Sequence, residues 1–481
     1  MDQGALEAFK NKVVGGVLAL TTRTFILQII SFTATFILTI LLSPEIFGIF
    51  FVVSAVISFL TYFSDIGLAA ALIQKKDEPV RSELVSVFTL QQVIVTLVVA
   101  VSFLNVSLIS RFYKLSGDGT FLFQALLVSF FLSSLKTIPS ILLERKLDFS
   151  LLVVPQILEN LAFYLTAVIL ALLNLGIASF AWAALIRGIV GLIAIYSVSP
   201  WVPGLGFSYS SVRHLITFGI PFQANSLLAL VKDDLLTLYL GKILPFSFIG
   251  YLGWAKKWAE IPLRLIMDSA VRVTFPAFSR IQKETALLKK AIDKTVFFLA
   301  LLILPVSVLL IVYIKPAIGI IPKYQKWEPA LPAFYLFSLS AVLASFSSPI
   351  VNALNALGKI RKTLGLMLLW TVMTWMLVPV LTNLIGYNGW PISALLISST
   401  LFLPVSMLKK YVSFDFWKNL KTPLVLTLVM FLFSFMTMSF VYNIYTLVAL
   451  ISASLLLYLL LCFYFLKKDI LPFLPEFLKR V

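Results

Sequence analysis

Charge, cysteine and histidine are all scarce in this chain of 481 residues. Charged residues make up 12% of it, where an ordinary soluble domain has about 25%, and Cys462 and His214 are the single cysteine and the single histidine. A lone cysteine excludes an intrachain disulfide and argues against a thiolate metal site. Because the cysteine and the histidine lie far apart in the sequence, they predict no nucleophile pair either. We therefore expect no cofactor and no metal.

Hydrophobic residues, at 60%, are what the chain has in excess. Apolar runs of about 18 residues or more, separated by glycine, proline and clusters of charge, predict about 14 transmembrane helices. The predicted spans lie near residues 13–42, 47–73, 84–108, 121–143, 151–173, 177–198, 215–240, 247–275, 291–314, 331–353, 363–385, 390–408, 422–442 and 446–466. The first run is too long for a cleaved signal peptide, so we expect the N-terminus to be retained. The sequence thus predicts an all-α polytopic membrane protein.

Basic residues are unevenly distributed among the predicted loops. With the N-terminus inside, the cytoplasmic segments collect about 23 of the 38 Lys and Arg residues, and the outer loops collect about six. The positive-inside rule therefore predicts that both termini lie in the cytoplasm. The net charge of +17 reflects this topology and does not indicate nucleic-acid binding.

A short motif recurs 202 residues along the chain. Leu42–Ile49 resembles Leu244–Tyr251, with Gly48 matching Gly250. If the match is real, two parallel six-helix repeats are related by an axis along the membrane normal. A chance match over so short a stretch is the alternative.

The repeat predicts four parts of the chain. We expect an N-terminal lobe at 1–198, a cytoplasmic linker rich in proline and glycine at 199–214, and a C-terminal lobe at 215–408. Residues 409–481 would hold two further helices and a cytoplasmic tail.

One predicted span, 247–275, carries an alternating ladder of charges. Its members, four residues apart, are Lys256, Glu260, Arg264, Asp268 and Arg272. Each ionisable group in hydrocarbon costs about 2.5–3.5 kcal/mol, so these residues must face each other or a wet cavity. If the segment lay on the membrane surface instead, later loops would invert and place eleven basic residues outside in exchange for three inside. The segment is therefore predicted to span.

Two interpretations of the ladder are open. Ion pairs between residues four apart could form a closed structural network. An α-helix turns by about 400° over four residues, so the ladder would drift by about 40° per step, and Lys256 and Arg272 could not share one interface. Lys257 adds a further cation, and the buried cations outnumber the nearby carboxylates. This surplus favours an anionic ligand of the pyrophosphate type.

Several short motifs resemble those of polysaccharide transporters of the Wzx type, within the superfamily of flippases and multidrug exporters known as MOP. The motifs are SPEIFG at 43–48, FSDIGL at 63–68, ALIQ at 71–74, IP at 138–139, ERKLDF at 144–149, FGIP at 218–221, IGY at 249–251 and FPAFSRIQ at 275–282. Each motif is weak alone, but their order and spacing extend over about residues 10–410.

The resemblance implies a two-lobed transporter with 14 helices in the cytoplasmic (inner) membrane. Such a flippase moves undecaprenyl-pyrophosphate-linked oligosaccharide from the inner to the outer leaflet by alternating access through a cationic central cavity, coupled to a gradient of H⁺ or Na⁺. A polysaccharide polymerase and glycosyltransferases are its expected partners. By their place in matching helices, the candidate substrate-binding residues are Arg23, Arg187, Lys232, Lys257 and Arg264. The candidates for ion coupling or pairing are Asp65, Asp233 and Asp268.

Two other functional classes fit the sequence less well. A multidrug or organic-cation antiporter of the same superfamily would favour an acidic, aromatic cavity and usually twelve helices, which disagrees with the positive balance. A membrane-embedded glycosyltransferase, polymerase or ligase would usually need a sizeable outer loop or soluble domain that holds a general base. The sequence shows neither a sizeable outer loop nor a soluble domain, so we expect no enzymatic activity.

Overall fold

The computed structural model describes residues 3–64, 67–75 and 77–470, with some side chains of α1, α2, α10, α12 and α19 outside the description. Every regular element in these ranges is helical, which confirms the predicted all-α fold. The chain divides into two compact units, Met1–Gly250 and Tyr251–Val481. The predicted lobe boundaries around the linker at 199–214 stay a prediction.

Long helices joined by short connections build the first unit. Its helices are α1 (Gln3–Leu41), α2 (Pro44–Ser64), α3 (Leu68–Gln74), α4 (Arg81–Leu104), α5 (Val106–Tyr113), α6 (Gly117–Ser134), α7 (Thr137–Arg145), α8 (Phe149–Leu172), α9 (Ala178–Val198) and α10 (Tyr209–Ile243). Residues 199–208 are not helical and run beside α4, where the Gly206 amide donates to Thr89 Oγ1 at 3.1 Å.

The second unit continues in the same way. The next helix, α11 (Phe246–Ala259), begins at the end of the first unit. It is followed by α12 (Asp268–Arg280), α13 (Thr285–Ile320), α14 (Leu331–Ala356), α15 (Ile360–Ile385), α16 (Gly389–Ser398), α17 (Phe402–Lys409), α18 (Phe416–Thr437) and α19 (Ile444–Ile470). The largest described apolar cluster of this unit joins α12, α13, α14 and the segment from α17 to α18.

Ten helical stretches in the described residues are long and apolar enough to cross a membrane, or eleven if α6 and α7, bent by 42°, form one span. One of the ten, Ile360–Lys409, is 50 residues long and contains α15, α16 and α17. At about 1.5 Å per residue, the length of this run is more than twice the thickness of a bilayer core, which is about 30 Å. The chain is therefore a multi-span membrane protein, while 14 as the number of spans stays a prediction.

The predicted span 247–275 is not one continuous helix. α11 ends at Ala259, a π-helical turn occupies Leu263–Met267, and α12 begins at Asp268. Pro262 lies at the break, and proline ends a regular α-helix because it has no N–H and its ring clashes with the preceding turn. A π turn changes the register of the side chains that follow it. The charges therefore do not drift by the constant angle of about 40° per step that was predicted from α-helical geometry.

The two recurring glycines lie against each other's motif. Gly48 on α2 and Gly250 on α11 are both buried. A Cβ at Gly48 would collide with the carbonyl oxygen of Phe246, and a Cβ at Gly250 would collide with the carbonyl oxygen of Pro44. Pro44 and Phe246 each begin their helix and precede the glycine by four residues. The contact is thus reciprocal between positions that match in the two copies of the motif, and the repeat itself stays a prediction.

Candidate functional site

A polar pocket of about 430 Å³ lies within the first unit, and its volume is in the range of small-ligand sites. Helices α3, α6, α7, α8 and α9 supply its walls. Its polar lining residues are Ser133, Lys136, Thr137, Ser140, Glu144, Gln156, Glu159 and Arg187. Hydroxyl, amide and charged groups of both signs therefore border one space.

Glu159 is central to the charges of this pocket. Its carboxylate forms an ion pair with the Lys136 ammonium, and Arg187 Nη2 lies 4.0 Å from Glu159 Oε1. The Lys136 and Glu159 side chains are 17% and 13% exposed. The Arg187 side chain is 44% exposed, and its guanidinium carbon lies 5.9 Å from the centre of the Phe163 ring. Lys136 is thus the main partner of Glu159, and much of the Arg187 guanidinium remains available to the pocket.

A glycine leaves room for the ion pair. A Cβ at Gly191 would collide with Glu159 Oε2 and would lie 2.9 Å from Lys136 Nζ. Gly191 follows Arg187 by four residues on α9, so the two lie on one helix face. The sequence pointed to Arg187 but not to this pocket. The signal that was missed is a lysine in the second half of one predicted span followed by a glutamate inside the next.

Glu159→Gln is expected to lower the thermal midpoint of the purified protein by about 2–4 °C. Removing one partner of a buried ion pair costs about 3–5 kcal/mol, and the partial exposure of this pair reduces that to about 2 kcal/mol. Thermal unfolding in detergent measures the shift. Glu144→Gln is the matched control, since Glu144 lines the same pocket and forms no ion pair with a described residue. Equal losses in the two variants would contradict the role given to the Lys136–Glu159 pair.

Glu260 has the corresponding central position in the charge ladder of the second unit. Arg264 Nη2 lies 2.9 Å from Glu260 Oε2, and Lys256 Nζ lies 3.9 Å from Glu260 Oε1. Lys256 Nζ also lies 5.1 Å from the centre of the Trp390 ring. The Arg264 side chain is 62% exposed, so a further anion can reach its guanidinium. Lys257, next to Lys256, is half-buried.

An aromatic cluster fixes the helix that carries these charges. Trp254 on α11 stacks on Trp327 at a centroid distance of 5.5 Å, and its Nε1 donates to Tyr324 OH at 3.0 Å. All three side chains are at most 2% exposed. Buried aromatic residues contribute large apolar area and, with the indole N–H satisfied, a defined orientation. The basic residues that follow on α11 are therefore attached to a rigidly packed part of the helix.

The candidates on α10 lie in the first unit. Lys232 is half-buried, and Asp233 is exposed. The neighbouring Asp234 accepts a hydrogen bond at Oδ2 from Ser58 Oγ on α2, at 2.9 Å. Tyr62 and Gln223 add two reciprocal hydrogen bonds of 3.1 Å between α2 and α10. The polar residues of α10 thus form hydrogen bonds with α2, and they also include charged side chains.

The remaining candidates are placed only in part. Arg23 is half-buried on α1, which packs against α8 and contacts it through Ser31 Oγ and Tyr164 OH, 2.6 Å apart. Asp65 lies outside the described residues, as does the side chain of Asp268. In the part of the chain that the structure describes, no cluster of His, Cys, Asp and Glu could hold a metal ion. The roles of all eight predicted site residues stay predictions.

Curated relatives of the chain are proteins of polysaccharide biosynthesis. The succinoglycan biosynthesis transport protein ExoT of Rhizobium meliloti (strain 1021) is 24% identical over 357 residues, which are 73% of this chain and 71% of ExoT. The lipopolysaccharide biosynthesis protein WzxC of Escherichia coli (strain K12) is 25% identical over 318 residues, 65% of this chain and 64% of WzxC. The match to WzxC thus spans a little less than two thirds of that protein.

Solved structures with a similar fold are membrane transporters. The inward closed conformation of the lipid II flippase MurJ has a TM-score of 0.73 at 16% identity. The match covers 95% of this chain and 100% of the MurJ chain. An inward-facing multidrug resistance MATE family transporter of the MOP superfamily has a TM-score of 0.63 at 16% identity, covering 82% of this chain and 99% of its own. At such low identity these likenesses show the fold alone.

The family assignment comes from the sequence itself. Residues 37–332 match the model of a family described as polysaccharide biosynthesis protein. This range is more than half of the 481 residues. In agreement with its resemblance to Wzx-type transporters, the chain belongs to the polysaccharide biosynthesis protein family.

Proposed function

We propose that the chain is a flippase that moves oligosaccharide linked to undecaprenyl pyrophosphate from the inner to the outer leaflet of the cytoplasmic membrane. The names of ExoT and WzxC support a role in polysaccharide export or assembly. The fold shared with a lipid II flippase supports a lipid-linked substrate, although a MATE transporter shares that fold as well. The choice between a lipid-linked sugar and an organic cation as the substrate therefore depends on the charged side chains of the protein.

The surplus of cations around Glu260 is the observation that carries this choice. The sequence 251–272 holds four basic residues and two carboxylates, and two of the cations share the carboxylate of Glu260. Arg264 remains 62% exposed despite its ion pair. An arginine offers a planar fork of donors to phosphate oxygens, and a lysine offers a compact charge. Lys257 and Arg264 are proposed to receive the pyrophosphate, with Arg23, Arg187 and Lys232 as further cations of the path.

The pocket in the first unit is proposed to contact the sugar. Its hydroxyl, amide and carboxylate groups offer both donors and acceptors, which suits a ligand with many hydroxyl groups. Arg187 would add a donor fork for an acidic sugar or a phosphate oxygen. A binding surface with charge of one sign only would fit a neutral sugar less well.

Alternating access is proposed to be driven by an H⁺ or Na⁺ gradient. Asp65, Asp233 and Asp268 are the proposed coupling or pairing carboxylates, since carboxylates inside membranes commonly serve as proton relays. Both termini are proposed to lie in the cytoplasm, and glycosyltransferases and a polymerase are proposed to act before and after translocation.

A deletion strain of the source organism tests the proposed function. Loss of the gene should stop the export of a surface polysaccharide, and the lipid-linked repeat unit should accumulate in the inner leaflet. Restored export on complementation with the full chain would support the proposal. The competing antiporter function predicts proton-coupled efflux of cationic dyes from proteoliposomes instead, and such efflux with normal polysaccharide export would overturn the proposal.

A further inference from the structure

Two short connections of the second unit meet beside Tyr411. The turn between α14 and α15 carries Lys359, and Lys362 follows in the first turn of α15. Each ammonium nitrogen lies 4.8 Å from the centre of the Tyr411 ring, and Lys362 Nζ donates to Tyr411 OH at 2.5 Å. Two cations thus converge on one aromatic side chain just after α17.

The surroundings of Tyr411 hold more positive charge than these two lysines. Exposed basic side chains flank them on both connections, namely Arg361, Lys409 and Lys410. None of the five basic residues forms an ion pair with another described residue. Carboxylates on α13 and just before α18 have other partners. Asp415 Oδ2 lies 3.3 Å from Lys289 Nζ, and Asp293 Oδ1 accepts from the Asp415 amide at 2.9 Å.

The backbone beneath these cations is firmly packed. Leu354, Leu408 and Val412 are at most 2% exposed. Gly358 has a φ of +72°, a left-handed conformation that glycine adopts without steric cost and that reverses the chain before α15. The Lys359 amide then donates to the Leu354 carbonyl at 2.9 Å. The lysines are therefore presented from a fixed turn, at the positive end of the α15 dipole.

Tyr411 reports the local positive potential. Its pKa lies below the ordinary phenol value, chiefly because of the hydrogen bond from Lys362 and also because of the nearby charges of Lys362, Lys359 and Lys410. The same positive charges attract other anions. The neighbouring Trp417 is 71% exposed, as expected of tryptophan at a membrane–water interface.

We propose that the Tyr411 cluster, made of Lys359, Arg361, Lys362, Lys410 and Tyr411, binds the phosphate of an anionic phospholipid headgroup. The cluster lies at the ends of two membrane-spanning stretches, where headgroups lie, and basic pockets between helices are known to hold such groups. A phosphodiester can accept from two ammonium groups at once, while its acyl chains lie along the exposed apolar side chains of α15 and α18. This site is separate from the proposed pyrophosphate site and does not depend on it.

Lipid retention by the purified full chain tests this site. In native mass spectrometry, Lys359→Gln/Lys362→Gln should retain phosphatidylglycerol about 30-fold more weakly than the unaltered protein, since each lysine near a headgroup contributes roughly a factor of five. The control Lys418→Gln/Lys421→Gln removes the same charge from two exposed lysines on α18. Equal weakening in both would show diffuse attraction only and would overturn the proposal.

Two further arms identify the ligand. Phosphatidylcholine should be retained equally by all variants, and inorganic phosphate should not displace phosphatidylglycerol. Displacement by inorganic phosphate, or preferential binding of a polyprenyl pyrophosphate, would overturn the assignment to phospholipid. Lys410→Gln changes one exposed side chain and cannot disturb the packed turn, so its expected loss of about fivefold keeps the test valid if the double variant is unstable.

Discussion

Gly48→Ala is expected to prevent normal accumulation of folded protein. The added Cβ would collide with the backbone carbonyl of Phe246, and a backbone atom cannot rotate away as a side-chain end can. Either α2 or α11 must therefore shift, at a cost above the usual 1–3 kcal/mol of overpacking and of the order of 4 kcal/mol or more. Gly250→Ala should cause the same loss, because its Cβ would collide with the carbonyl of Pro44. Protein yield and thermal midpoint in detergent measure both effects.

Gly365→Ala is the control for this experiment. Gly365 also lies inside a helix, but a Cβ there meets no atom within 4 Å. Alanine at an open helical position should be neutral or stabilise by about 0.5–1 kcal/mol. If Gly48→Ala and Gly250→Ala behaved like this control, the close reciprocal contact between α2 and α11 would be incorrect.

Arg264→Glu is expected to abolish polysaccharide export while the protein still inserts into the membrane. The change removes a charge-assisted donor fork from a side chain that is 62% exposed, and it places a second carboxylate one turn from Glu260. Each lost hydrogen bond to a charged group is worth about 1.5–3 kcal/mol, so transport should fall by about a hundredfold or more. Lys257→Glu should act in the same direction. Surface polysaccharide in a complemented deletion strain, with membrane protein quantified in parallel, measures the effect.

Two controls separate this effect from general changes in charge. Arg264→Lys keeps the positive charge but loses the planar fork, so it should give intermediate export. Lys283→Glu reverses one charge at an exposed turn after α12 and should leave export unchanged. Normal export by both Arg264→Glu and Lys257→Glu would refute the proposed cationic path.

The sequence was sufficient for features that depend on local properties. Helix length and apolarity are local, so the all-α fold and most spans could be predicted from the apolar runs. The two ion pairs of Glu260 were also accessible, since they join residues four apart in one segment. Pro262 was a visible sign of a break, but the π turn after it also depends on how Leu263–Met267 packs on α13.

Contacts between separate helices could not be predicted in this way. Lys136 and Glu159 are 23 residues apart, and the packing of α7 on α8, together with that of α6 on α9, brings their charges together. The convergence of Lys359 and Lys362 on Tyr411, 49 residues beyond Lys362, likewise requires the path of α15, α16 and α17. Periodicity within one helix contains no information on which helix lies beside it.

The reciprocal contact of Gly48 and Gly250 has a consequence for the origin of the chain. A contact in which position n of one copy meets position n−4 of the other, and the reverse, is isologous, the type of interface found in twofold symmetric dimers. If the two motifs descend from one ancestral segment, two copies of that segment would have formed this contact twice in a homodimer. After duplication and fusion, the two glycines could mutate independently of each other. Each still faces a backbone carbonyl that leaves no room for a side chain.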